Sequence, residues 1–192
     1  MLCNDLNNEQ ALPAFQLSWY AVFTQCHHER RVARQLEQLN LEYFLPTYQR
    51  VSQWKDRVAR LEQPLFPAYL FVHIARKQTK QVLQTRGTVK LVGSAGGPLA
   101  IPDAEISCLQ SAVRNYPTEP AEYLNIGERV RIDAGSLRGV TGILVRKNGK
   151  ARVSIAVDTI MRSFIVEIDA SLLTKIGPRP GETSIQAFVR SA

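Results

Sequence analysis

The amino-acid sequence predicts an α+β protein in two unequal parts: an α/β sandwich domain with an antiparallel sheet and helices, followed by a small all-β barrel. Three observations predict it. Between residues 15 and 114, apolar positions recur with a period of two in some runs and of 3.6 in others, so strands alternate with helices. Between residues 126 and 177 only short period-two runs remain, VRI, GILV, ARVSIAV and SFIVEI, separated by glycine or polar turns. Between the two lies Asn115–Asn125, NYPTEPAEYLN, with two prolines and little periodicity, which reads as a linker.

Each element follows in order. Leu17–Thr24, LSWYAVFT, is a strand with Leu17, Trp19, Ala21 and Phe23 on one face. From His28 to Leu39 the apolar residues Val32, Ala33, Leu36 and Leu39 form one helical stripe, while Arg30, Arg31, Arg34 and Glu37 project elsewhere. Asn40 is a helix stop. Tyr43–Pro46 is extended, and Tyr48–Leu65 reads as an exposed hairpin with its tip at Trp54–Arg57. Phe66–Ile74, FPAYLFVHI, is the strongest strand, with Leu70, Val72 and Ile74 on one face and Tyr69, Phe71 and His73 on the other. Lys77–Thr85 is a short helix, Thr88–Val92 a strand and Ser94–Pro98 a turn. Pro102–Arg114 is a helix with Ile106, Leu109 and Val113 inward and proline in the first turn, where its missing N–H costs nothing. In the all-β part, Asn148-Gly149 is a hairpin signal. Residues 1–14 read as a flexible extension and 178–192, starting within GPRPGETS, as a flexible tail.

The chain has 192 residues, 45% of them hydrophobic, ample for a packed core. Its formal charge of +7 fits a polyanionic partner such as nucleic acid or ribosomes. No stretch is long and apolar enough for a membrane span, and the start lacks the basic and apolar regions of a signal peptide, so a cytoplasmic protein is expected. Cys3, Cys26 and Cys108 are scattered and match no zinc spacing, which suits reduced thiols.

Function begins to emerge at Gly127–Ile143, GERVRIDAGSLRGVTGI: a strand, a glycine-rich turn and the start of a second strand. Glycine there supplies left-handed backbone or lets two chains approach, as a sharply curled barrel requires. The segment resembles the KOW motif, with Gly142 at its characteristic glycine, which implies an SH3-like barrel at 126–177. The whole of Leu17–Ile176 resembles the NusG family, whose members place an α/β NusG N-terminal domain before a KOW barrel. The carrying residues are SWYAVF at Ser18–Phe23, HERRVARQL at His28–Leu36, FLP at Phe44–Pro46, PLFPAYLFV at Pro64–Val72 and SFIVEIDASLLTKI at Ser163–Ile176. PLFPAYLFV, with WKDR before it, is most similar to specialised paralogues of the RfaH and UpxY type.

That resemblance implies a transcription elongation and antitermination factor acting on particular long operons. Its N-terminal domain would grip the clamp helices of the RNA polymerase β′ subunit through Phe23, Tyr69 and Phe71, with Thr79 at the place that meets the β-subunit gate loop. Parity alone leaves two uses for Tyr69 and Phe71, an exposed interaction patch or rings packed under the hairpin or barrel. By resemblance His28, Arg31 and Arg86 would touch the displaced non-template DNA strand; an arginine fork suits phosphate and base edges, although charged residues on this helix would equally make a solvated face. Gln25 and Cys26 depart from the basic residues of that paralogue. In the barrel, Ile160, Met161 and Arg162 match the loop through which relatives bind the termination factor Rho or a small-subunit ribosomal protein; an ordinary barrel-closing isoleucine is the other reading of Ile160. The chain is expected to work as a monomer without a cofactor.

An enzyme is not expected. Cys26, His27 and His28 are consecutive, diverge by about 100° each on a helix and cannot converge on one metal ion. No nucleophile elbow, phosphate loop or paired-carboxylate motif accompanies the serines, histidines and acids. A ribosome-associated KOW protein that binds RNA is the alternative, and it explains the barrel and the charge but leaves the N-terminal domain without a role.

Overall fold

The computed structural model describes residues 16–53, 58–121, 128–147 and 150–177. The terminal extensions, the hairpin tip at Trp54–Arg57, the Asn148-Gly149 turn and residues 122–125 of the expected linker lie outside the described residues.

Strand β1 (Leu17–Thr24) runs into helix α1 (Glu29–Gln38), which buries Val32, Ala33 and Leu36 and ends where Asn40 turns left-handed at φ 53°. Strand β2 (Glu42–Phe44) is short, and β3 (Thr47–Gln53) pairs with β4 (Val58–Pro64) as the expected antiparallel hairpin. Strand β5 (Tyr69–Ala75) begins three residues later than the apolar run suggested. Phe66–Ala68 is instead a turn: Ala68 sits at φ 66° and its N–H donates to the buried Glu29 carboxylate at 2.6 Å. A charge-assisted bond of that kind offsets both the burial of the carboxylate and the strain of left-handed alanine.

Helix α2 (Thr79–Leu83), β6 (Thr88–Leu91), the two-residue pair β7 (Gly93–Ser94) and β8 (Gly97–Pro98), and β9 (Ala100–Ile101) lead to α3 (Asp103–Asn115), with Pro102 at its N-cap. The first sheet is antiparallel in the order β2-β5-β1-β6, with β9 sharing the outer edge of β1. One face carries Tyr20, Val22, Leu70, Val72 and Ile74, packed with Val32, Leu36 and Val82 of α1 and α2. The period of two then puts Trp19, Ala21 and Phe71 on the opposite face.

The second sheet is also antiparallel, ordered β10 (Thr118–Ala121), β14 (Arg162–Glu167), β13 (Lys150–Val157), β12 (Thr141–Lys147), β11 (Arg129–Ile132), β15 (Leu173–Lys175). Val130, Ile132, Val153, Ile155, Phe164 and Val166 fill its interior. Strand β10 corrects the expected linker. Asn115 closes α3, and residues 118–121 form an edge strand on β14, held by the 2.6 Å Glu119–Arg152 ion pair. Pro120 concealed it, because proline within a run argues against a strand except at an edge, and β10 is one.

Gly142 realises the second of glycine's two uses, close approach. It lies within β12, not in the turn, and needs no left-handed backbone. A Cβ there would stand 2.5 Å from both the Ser154 carbonyl oxygen and the Val153 Cγ1, so glycine serves the close approach of β12 to its neighbour β13. Gly142→Val is therefore expected to destabilise the barrel by about 1–3 kcal/mol through overpacking. Thermal unfolding should show the change in the C-terminal sheet; an unchanged melt would refute the close approach as the reason for glycine.

Candidate functional site

Two surfaces meet on the N-terminal domain. The first is aromatic. Opposite residues in the β1–β5 register pair Phe23 with Tyr69, Ala21 with Phe71 and Trp19 with His73, all on the face away from α1. The Phe23 and Tyr69 rings lie 5.2 Å apart, and Trp19 stacks on His73 at 4.8 Å. Phe23 and Tyr69 are half-buried, but Phe71 is fully buried. Its ring stacks on Phe44 at 6.3 Å and meets the edge of Phe66 at 6.2 Å, and Phe66 in turn meets Phe164 of the barrel edge-on at 6.2 Å.

The barrel thus covers this face, forming one continuous core with α3. Beside the aromatic contact the seam has a polar one: the Asn115 side chain donates to the Ser136 hydroxyl at 3.1 Å. The Tyr116 hydroxyl lies against Gly135, where a Cβ would stand 2.5 Å from it. Of the two uses parity allowed for the aromatic strand, packing under the barrel is realised for Phe71, and Phe23 and Tyr69 remain at its margin. Thr79 is not brought to this patch. It opens α2, beyond the far end of β5, roughly 20 Å along the strand from Tyr69, and its hydroxyl donates to the Arg76 carbonyl at 2.6 Å.

The second surface is basic. Arg31 on α1 and Arg86 before β6 are exposed, and neither guanidinium has an ion-pair partner among the described residues. One side chain joins them: the Gln35 amide nitrogen donates to the Arg31 carbonyl at 3.1 Å and the Arg86 carbonyl at 3.0 Å, while its oxygen accepts the Arg86 N–H at 3.0 Å. Sequence analysis missed Gln35 because its partner is 51 residues away. His28 belongs to the same group but is half-buried, its imidazole against Gly87 and its Nδ1 buried without a hydrogen-bond partner. It supports the Arg86 loop more than it reaches outward. Beside Arg86, an amide-rich cleft of about 300 Å³ is lined by Gln35, Gln38, Gln81, Gln84, Leu39 and Thr85.

In the barrel the expected partner loop divides. Ile160 is 5% exposed and packs inside, the barrel-closing reading, whereas Met161 is 66% exposed at φ 48° and Arg162 is exposed beside it. The exposed apolar group there is Met161. Among the described residues no three His, Cys, Asp or Glu side chains converge as metal ligands, and no helix is long and apolar enough to cross a membrane.

Comparison with known proteins places this architecture. Over 175 residues the chain is 26% identical to the transcription termination/antitermination protein NusG of Staphylococcus carnosus, covering 82% of this chain and 95% of that protein. It is 21% identical to the protein of the same name from Rickettsia bellii, over 82% of this chain and 89% of the relative. A solved structure of Thermotoga maritima NusG, described for its domain interaction, superposes with a TM-score of 0.57 at 19% identity, over 86% of this chain and all of that one, and so supports the fold. Residues 17–110 match the family model of the transcription termination factor NusG. With an α/β domain, a following barrel and relatives alike along most of their length, the chain is similar in sequence and fold to transcription termination/antitermination factors of the NusG family.

Proposed function

We propose that this chain is a specialised, RfaH- or UpxY-like member that binds RNA polymerase through the aromatic face of its first domain and promotes processive transcription of particular long operons. One observation carries the reading: a row of aromatic rings, Phe44, Phe71 and Phe66, runs on to Phe164 of the barrel, a domain joined to it through an edge strand. A face this apolar would be a liability if always open and useless if always shut. A barrel that can leave it serves both states, and a partner that binds only the open state shifts the balance toward it. The solved Thermotoga maritima NusG structure is described for a domain interaction, which is in keeping with contact between the two domains.

In this reading Phe23 and Tyr69 begin the contact with the β′ clamp helices and Phe71 joins when the barrel departs. Thr79 lies at the far end to meet the β gate loop. Arg31 and Arg86, braced by Gln35 with His28 beneath, hold phosphates of the displaced non-template strand, and the glutamine cleft offers amide donors and acceptors to base edges. Met161 and Arg162 face Rho or a small-subunit ribosomal protein. Transcription in vitro through a terminator on the native long-operon template tests the role: read-through should rise with the protein, and unchanged read-through at concentrations saturating polymerase would overturn antitermination.

Truncating interface aromatics often costs 2 kcal/mol or more. Phe23→Ala with Tyr69→Ala should weaken polymerase binding at least about tenfold, equivalent to about 1.4 kcal/mol, with folding preserved because both rings are half-buried. Phe71→Ala should instead destabilise the protein by about 3–5 kcal/mol, since it empties a core site. Equal polymerase affinity in the folded double variant would refute the docking face.

For the basic surface, Arg31→Ala with Arg86→Ala should flatten the salt dependence of single-stranded DNA binding by about 1.4 in log–log slope, two contacts at about 0.7 each. Gln35→Leu should reproduce part of that loss with both arginines present. A salt slope unchanged in all variants would remove this surface from the nucleic-acid path.

A further inference from the structure

Strand β10 belongs to the barrel's sheet yet follows α3 almost at once. The Tyr116 amide still donates to the Ala112 carbonyl of α3 at 3.0 Å, and Thr118 already stands opposite Val166 of β14. Between them is Pro117, whose ring fixes φ and makes a stiff joint. While β10 is paired, the barrel hangs from α3 by Tyr116 and Pro117 alone, a reach of roughly 7 Å when extended. A helix is about 10 Å across, so no partner helix fits between barrel and aromatic face in that state. The pairing itself is modest. Four register pairs join β10 to β14, against six between β14 and β13, and Pro120 has no N–H to give the ladder. What fastens it is Glu119, which stands opposite Ile165 and reaches diagonally over β14 to Arg152 of β13 at 2.6 Å. The Arg152 side chain is 13% exposed and its Nε is buried without a hydrogen-bond partner among the described residues, so a carboxylate beside it matters. Glu167 of β14, directly opposite Arg152 in register, stays in the neighbouring strand whether or not β10 is paired.

We propose that β10 is a detachable clasp: paired to β14 it keeps the barrel on the aromatic face, and peeled from β14 it becomes the tether that lets the barrel leave. The inference rests on the reading that this cover is reversible. Peeling frees residues 116–121, which span roughly 20 Å when extended, enough to clear a helix. The step is mild, because β10 lies at an edge and water can satisfy the backbone groups it uncovers on β14. Clasp and cover are coupled in both directions: a covered face favours pairing, and a partner docked on that face favours peeling by the same factor.

Two variants of the full chain bias the clasp in opposite directions. Glu119→Lys removes its fastening, and Glu119→Cys with Ile165→Cys, opposite one another in the register, locks it by a disulfide followed by mass. Nitrogen-15 relaxation reads whether the domains tumble as one body or two, amide exchange at Thr118, Glu119 and Ala121 reads the clasp, and affinity for core RNA polymerase reads the consequence. Glu119→Lys should raise the separately tumbling fraction at least about fivefold, as loss of a partly buried ion pair allows. Its β10 amides should exchange faster and its polymerase affinity should rise by a similar factor. The oxidised cysteine pair should tumble as one body and bind polymerase at least about tenfold more weakly than its reduced form. A Glu119→Lys chain unchanged in all three readouts, or joint tumbling with equal polymerase affinity in the oxidised and reduced chains, would overturn the clasp while leaving the cover intact. Two independently tumbling bodies in every form, the oxidised one included, would overturn the cover itself.

Discussion

The structure depends on a sheet with two apolar faces and helices enough to seal only one of them fully. Strands β1 and β5 alternate large apolar residues on both sides: Tyr20, Val22, Leu70, Val72 and Ile74 meet α1 and α2, while Trp19, Ala21, Phe23, Tyr69 and Phe71 face away. Helix α3 covers part of that second face with Ile106, Leu109 and Ala112. The remainder must be closed by something, because a Phe71-sized side chain left in water forgoes about 1.5–3 kcal/mol. Here the barrel closes it, and the ring sequence Phe44, Phe71, Phe66, Phe164 carries one core across two domains.

The other features serve that constraint. The buried Glu29 carboxylate holds the turn at Ala68, which aims Phe66 at the barrel, and the same helix carries Arg31 and the Gln35 brace to Arg86. The basic surface and the aromatic face are thus two sides of a single scaffold anchored on α1. Strand β10 keeps the barrel beside α3 by joining the edge of β14, and the Asn115–Ser136 hydrogen bond adds a polar contact to an otherwise apolar seam.

Much of this was legible in the sequence. The two periods located β1, α1, β5 and α3, and parity assigned Tyr69 and Phe71 to the face away from the helices, because both signals are local and fold-independent. Resemblance to the NusG family was carried by short segments in both domains. What local signals could not show was pairing over distance. Pro120 argued against a strand that β14 makes possible, Gln35 gains its meaning from Arg86, and Gly142 reads as a turn glycine until Ser154 and Val153 are placed beneath it. Ile160 and Met161 are neighbours of similar hydrophobicity, yet the first is buried and the second, with left-handed backbone, is exposed.

The central claim is that one aromatic face serves the barrel and the polymerase by turns, never together. Asn115 and Ser136 already touch across the seam at 3.1 Å, so Asn115→Cys with Ser136→Cys offers a reversible covalent lock on the covered state. The direct measurement is the affinity of this variant for core RNA polymerase before and after reduction, with disulfide formation followed by mass. The account predicts that the oxidised chain fails to bind and the reduced chain recovers wild-type affinity. An oxidised chain that binds polymerase as tightly as the reduced one would show that the covered face is not the docking face.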